Sequence, residues 1–197
     1  MARHDAVTFV AAMRLEALAL GGRVVRTGMG HRRATVVAGK LAKSLVPGSP
    51  VVLAGISGGL DTSLEPGEIV VATSVRNPHD EVRELSERDA AAAAALLRAA
   101  GHEVHLGPIA SSKTHVHGDR RTELAACGAL AVDMESSWVA DALEGHRLVV
   151  VRIVADTAGN FVAGLVKGLM ALRHVRPCVA GWPAVVAAGH DAGGHRP

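Results

Sequence analysis

Apolar positions along the chain fall into two alternating patterns. Short unbroken runs at residues 6–12, 22–26, 50–54, 68–75, 128–132 and 148–155 have the length and Val/Ile content of buried strands. Residues 102–110 alternate instead, as a half-buried strand does. Between these runs, residues 13–20, 34–45, 138–143 and 161–174 follow helical spacing, with Gly21 and Gly22 ending the first. Ser86 and Asp89 bracket a capping box that opens an alanine-rich helix stopping at Gly101, and the alanines are read as helix propensity only. Residues 76–81 and 111–118 are polar loops, residues 177–188 are mixed, and the Gly/His-rich end after about residue 188 is expected to fray. No internal repeat or linker interrupts the alternation. One α/β domain spanning 1–197 is predicted, with its ligand at the carboxyl ends of the strands.

Composition narrows the function. A chain of 197 residues, 49% hydrophobic, suffices for a substantial core. Aromatics are 2% with no Tyr, which excludes the stacking platform of a single-strand nucleic-acid binder. The arginines are scattered and the net charge is +2, which argues against duplex binding. Cys127 and Cys178 form no C-x-x-C, so neither a zinc site nor a disulfide framework is expected, and a reduced cytoplasmic setting follows. No apolar run has membrane-spanning length, and the N-terminus shows no signal-peptide pattern.

The candidate chemistry centres on Asp133 and Glu135, where the run at 128–132 hands over to a helix. Unpaired N–H groups at a helix start favour negative charge, so Asp133 as N-cap and Glu135 as first-turn acid is one reading. A ligand site is the other, and Asp156 at the end of the 148–155 strand supplies the second acid it requires. Glu16 lies in the first turn of the first helix, where a dipole or surface role is the alternative. Gly28 and Gly30 form a Gly-x-Gly without a third glycine, which reads as a tight strand-to-helix turn. His115 and His117 lie at i, i+2 without a nearby third metal ligand, so a loop with one pocket-facing histidine is expected.

Four blocks, Gly55 to Leu60, Leu64 to Ala72, Ala131 to Ser136 and Val151 to Asp156, resemble in order those of the nucleoside phosphorylase and nucleosidase superfamily. The resemblance covers residues 7–172; the superfamily's best-known adenosine-cleaving members are the methylthioadenosine/S-adenosylhomocysteine nucleosidases, and through residues 26–30 and overall brevity the chain is most similar to small phosphorylases of hopanoid biosynthesis. It implies a three-layer α/β/α domain around a mixed, twisted sheet. It also implies roles: Glu16 activating the attacking water, Met134 and Glu135 under the ribose, Asp156 protonating purine N7, and Val116 offering backbone contacts to the base. His115 stands at the lid position, Arg152 near the site, and Ile56, Ser57 and Gly58 in the glycine-rich segment beside the substrate. The chemistry suits those residue types, because glycosidic cleavage develops positive charge on the ribose and negative charge on the leaving base. For its role Asp156 would need burial to raise its pKa.

Two departures shape the expected activity. The first phosphate-type loop lacks its glycine-aspartate-proline sequence, and apolar Ile56 occupies a position often Ser or Thr, so water is favoured over phosphate as nucleophile, while Arg14, Arg32 and Arg33 keep phosphate open as a co-substrate. Ala155 replaces a serine near the base. The chain is short between Glu16 and Gly28 and between Val75 and Ser86, which would either open the 5′ side to a large apolar substituent or leave it to a partner subunit. The expectation is an enzyme releasing the base from an adenine-type nucleoside with a bulky 5′ substituent, adenosylhopane-like, without a metal or organic cofactor, as a homodimer or higher oligomer. The alternatives are a methylthioadenosine/S-adenosylhomocysteine nucleosidase, a futalosine-type hydrolase, or an inert nucleoside-binding module.

Overall fold

In a computed structural model, residues 6–156 and 161–191 are described. The buried runs form β1 (Thr8–Ala11), β2 (Val24–Arg26), β3 (Pro50–Gly59), β4 (Ile69–Arg76), β6 (Val104–Ser111), β7 (Ala131–Asp133) and β8 (Arg147–Asp156), and a short β5 (Val82–Glu84) joins them. The helices are α1 (Arg14–Leu20), α2 (His31–Ser44), α3 (Glu87–Ala99), α4 (Asp119–Ala126), α5 (Ser136–Ala142), α6 (Phe161–Val179) and α7 (Trp182–Asp191).

All eight strands join one mixed sheet in the order β2-β1-β3-β7-β6-β4-β5, with β8 pairing β3 and β4. Strands β3, β8, β4, β6 and β7 therefore close on themselves. The closure comes from β3, which is flanked by β1 over Val51 to Leu53 and by antiparallel β7 at Gly58 and Gly59. A register shift between Ser57 and Gly58 accompanies the change of neighbour.

Alternate residues of the buried strands feed two cores, which is why the runs read as continuously apolar. Phe9, Val52, Ile69, Val71 and Ile153 pack with Leu97, Leu172, Val175 and Trp182 on one face. Val10, Val51, Leu53, Val70 and Val150 pack with Ala38, Val139 and Leu143 on the other.

Several boundaries differ from expectation. β3 continues through Ile56, Ser57 and Gly58 because β8 pairs it almost to its end. The polar segment after β4 turns back, and β5 pairs antiparallel with Ser74 to Arg76. Residues 177–188 are mostly helical: α6 runs on to Val179 with Pro177 inside it, and α7 follows, with Trp182 anchored in the core. The alanines of α3 do more than favour helix, since Ala90, Ala93 and Ala94 are buried and bring the helix close to the sheet. The tail after 191 lies outside the described residues.

Candidate active site

The carboxyl ends of β1, β3, β7 and β8 meet around a cavity of about 550 Å³. That volume is within the ~300–1,000 Å³ of small-molecule sites. Its walls include Glu16, Ile56, Ser57, Gly58, His115, Val116, Met134, Glu135 and Asp156. Three acids from three separate segments of the chain, Glu16 lying more than a hundred residues from the other two, thus open onto one space.

Glu16 is 2% exposed. Its Oε2 accepts from Ala12 N (3.1 Å) and Met13 N (2.7 Å), and its Oε1 accepts from Ile56 N (2.9 Å). Two of these donors are orphan N–H groups at the start of α1, so the helix's own end fixes the side chain. A carboxylate oxygen has about two acceptor sites, so Oε1 keeps one for a ligand. Gly55 makes this approach possible: a Cβ there would stand 2.6 Å from Glu16 Oε1 and would also strike Arg152 Nη1.

Asp133 and Glu135 divide the work of the β7–α5 junction. Glu135 is the N-cap residue of α5, yet its side chain does no capping. Asp133, two residues back at the end of the strand, accepts at Oδ1 from Glu135 N (3.2 Å), Ser136 N (3.1 Å) and Ser111 Oγ (2.7 Å). Its Oδ2 takes Ser136 Oγ and Arg152 Nε, the latter at 2.6 Å. With the helix start satisfied by its neighbour, Glu135 is free to reach Gly30 N, which donates to its Oε1 at 2.9 Å. Gly30 has φ +85°, a conformation that suits glycine at this turn. Burial, and then the Asp133 carboxylate, push the Glu135 pKa up to about 7, against the pull of Arg152 and the Gly30 N–H.

Arg152 lies behind the wall. Contrary to the expected place beside the substrate, it does not line the cavity, and it is completely buried. Besides the Asp133 bond, its Nη2 donates to Ser136 Oγ (3.0 Å). Burial alone would lower its pKa, but Asp133, Glu135 and Glu16 outweigh it and the net shift is upward. Its Nη1 has no hydrogen-bond partner among the described residues.

The opposite end of the cavity is built differently. The Asp156 side chain is 28% exposed rather than enclosed, and Arg121 Nη1 lies 3.4 Å from its Oδ2. Arg121 also donates to Asp156 O (3.2 Å) and to Gly59 O. It comes from the first half of α4, a helix the sequence pattern did not reveal, and passes Gly58, where a Cβ would stand 3.4 Å from Nη1. Both His115 and His117 line the cavity, rather than one of them, with ring centroids 6.3 Å apart. Both are exposed at its mouth, with buried Val116 between them.

A closed mixed sheet with a carboxylate-walled, small-molecule-sized cavity at its strand ends defines the class: an α/β ligand-site fold with acids at both ends of the pocket. Residues 21–167 match the phosphorylase superfamily, and the chain belongs to it. Solved structures share the fold. Futalosine hydrolase of Helicobacter pylori superposes with a TM-score of 0.75 at 21% identity, covering 88% of this chain and 96% of that one. A 5′-methylthioadenosine/S-adenosylhomocysteine nucleosidase of Colwellia psychrerythraea in complex with adenine gives 0.73 at 20%, over 89% and 94%. The Helicobacter pylori nucleosidase D198N mutant with 5′-methylthioadenosine gives 0.75 at 19%, over 94% and 99%. No match was found among functionally curated proteins.

Proposed function

We propose that the protein hydrolyses the N-glycosidic bond of an adenine-type nucleoside carrying a bulky apolar 5′ substituent, as in an adenosylhopane-like compound. The observation that carries this is the convergence of Glu16, Glu135 and Asp156 on one cavity of about 550 Å³. Glu16 receives a proton from water at Oε1 while the water oxygen adds to C1′. The C1′–N9 bond breaks with its electron pair going to the base, and a proton from Asp156 on N7 neutralises the leaving purine. Arg121, 3.4 Å from Asp156 Oδ2 and bonded to the Asp156 and Gly59 carbonyls, orients the acid. Glu135, ionised above about pH 7, accepts from the ribose hydroxyls.

Water is the favoured nucleophile. Glu16, Asp133, Glu135 and Asp156 line the cavity, whereas Arg14, Arg32 and Arg33 are exposed and do not. Arg121 does line it, but is already engaged. Burying a phosphate dianion among these carboxylates would be costly. The apolar share of the wall, with Ala12, Met13, Met29 and Ile56, suits an apolar 5′ group. A homodimer in the cytoplasm goes with this proposal, and sedimentation velocity tests the oligomer.

One assay tests the reading: adenine release from 5′-methylthioadenosine and from a long-alkyl 5′ analogue, each with and without phosphate. Phosphate-independent release with preference for the long chain is expected. Preference for methylthioadenosine favours an ordinary nucleosidase instead, and binding without release makes the protein an inert nucleoside module.

A further inference from the structure

The wall of the cavity made by α1 continues outward into a surface unlike the rest of the molecule. Leu15 and Leu18 on α1 are 53% and 67% exposed, and Val166 and Met170 on α6 are 54% and 60% exposed. The two helices pack against each other, and Arg176 ties them by donating from Nε to Leu20 O at 3.1 Å. On each helix the exposed apolar residues are one turn apart, so each presents a stripe. Met13 and Glu16 of the same segment line the cavity, as does Met29, itself 59% exposed. The apolar surface therefore adjoins the pocket mouth.

Its charge is one-sided. Arg14, Arg23, Lys167 and Arg173 are exposed on these segments, and among the described residues none has an ion-pair partner. From Val7 to Leu60 the one acid is Glu16, which is buried, and from Ala163 to Ala188 there is none. The other exposed acids lie mainly on the β4–β5 hairpin, α3, α4 and α5, with Glu103 before β6 and Glu65 in the turn that Lys167 packs against. An apolar stripe rimmed by cations in excess of acids is the pattern of a peripheral lipid-binding face. A two-fold contact between copies would bring this rim against itself, cation to cation, and is disfavoured. No helix among the described residues is long and apolar enough to cross a bilayer, which is consistent with docking on a surface.

We propose that the α1–α6 face docks on an anionic lipid surface through Leu15, Leu18, Val166 and Met170, placing the pocket mouth at the lipid boundary. The surface stands on exposure and charge alone and is independent of the substrate reading. Its use is plain all the same: an apolar substituent longer than the cavity could remain in lipid while the nucleoside end enters.

Co-sedimentation of the full chain with vesicles of phosphatidylglycerol and phosphatidylcholine, against phosphatidylcholine alone, tests this. Binding to the anionic vesicles is expected, weakening as salt is raised from ~0.1 M to ~0.5 M. The double variant Leu18→Ser/Met170→Ser should weaken binding by about tenfold or more, since each removes apolar area from the contact. Lys167→Gln/Arg173→Gln should remove most of the salt sensitivity. Rates on a short-chain soluble nucleoside should stay unchanged in both, which separates loss of docking from misfolding or from failure of the catalytic proposal. No association with anionic vesicles overturns the proposal, as does a Leu18→Ser/Met170→Ser protein that binds like the parent. So does sedimentation showing that the same pair of substitutions splits a dimer, which would make this face a contact between copies.

Discussion

The two ends of the cavity are held by different means. At the end formed by Glu16, Asp133 and Glu135, each acid is largely enclosed and accepts from backbone N–H groups: Ile56 for Glu16, Gly30 for Glu135, and Glu135 and Ser136 for Asp133. Arg152 lies underneath as a buried counter-charge. At the other end Asp156 stands at a strand terminus, a quarter exposed, with Arg121 on it and the His115–His117 loop above. The first end is organised before any ligand arrives. The second is more open to solvent and is held through Arg121. On the proposed reading the sugar would meet the enclosed end and the leaving base the exposed one.

The strongest test of this contrast is to remove the anchor of the rigid end. Asp133→Ala leaves the buried Arg152 guanidinium without its partner, and breaking a buried pair in this way costs about 3–5 kcal/mol. Thermal and urea unfolding should show that loss. A cost below about 1 kcal/mol would mean the rigid end does not depend on its ion pair. Asp156→Asn makes the opposite cut. It should lower turnover by about 10²–10³ while leaving the unfolding midpoint nearly unchanged, because this end contributes function rather than stability. A near-normal rate on an adenine nucleoside would remove Asp156 from the mechanism.

The same contrast separates what the sequence could reveal from what it could not. Buried strands announce themselves as apolar runs, and the acids at their ends are fixed by those runs: Asp156 closes β8 and Asp133 closes β7 as the pattern implies. Arg152 was visible as a charge inside an apolar strand, and such a charge needs a buried counter-ion. That Asp133 supplies it, rather than a ligand, depends on β7 and β8 being brought together by β3. The exposed end was opaque. Helix α4 has eight residues and buries only Leu124, too little for a periodic signal. Arg121 is paired with an acid 35 positions away, so nothing local distinguishes it from the exposed Arg120 beside it. The nearest signal was Gly58, which Arg121 passes on its way to Asp156.

Titration sharpens the comparison at an intermediate scale. Glu135 holds its proton up to about pH 7 in the fold, against 4.5 ordinarily. Between those values the native state binds more protons than the unfolded chain, so stability falls as pH rises through this window and levels off above it. Glu135→Gln, which mimics the protonated group and still accepts from Gly30, should flatten that slope. At pH 8 it should be more stable than the parent by about 2 kcal/mol. Binding of the ribose should move the other way, with KM rising as pH drops below 7 and Glu135 ceases to be an anionic acceptor. Denaturation midpoints from pH 5 to 8 check the first effect, and initial rates over the same range check the second. A parent whose stability is flat across the window would place the strain elsewhere.

The smallest expected effect bears on the exposed end alone. Arg121 makes three contacts: Asp156 Oδ2, Asp156 O and Gly59 O. Two of them are to backbone carbonyls, so Arg121 is seated beside the carboxyl independently of its bond to it. Arg121→Gln should therefore lower kcat by about tenfold, roughly 1.4 kcal/mol, with KM little changed, because it loosens the Asp156 carboxyl rather than a substrate contact. Arg121→Lys keeps the charge but not the fork of donors, and should recover only part of the rate. An Arg121→Gln enzyme faster than the parent would reverse the assignment: the pair would then be a brake on the Asp156 acid, and the exposed end would rest in an inhibited state.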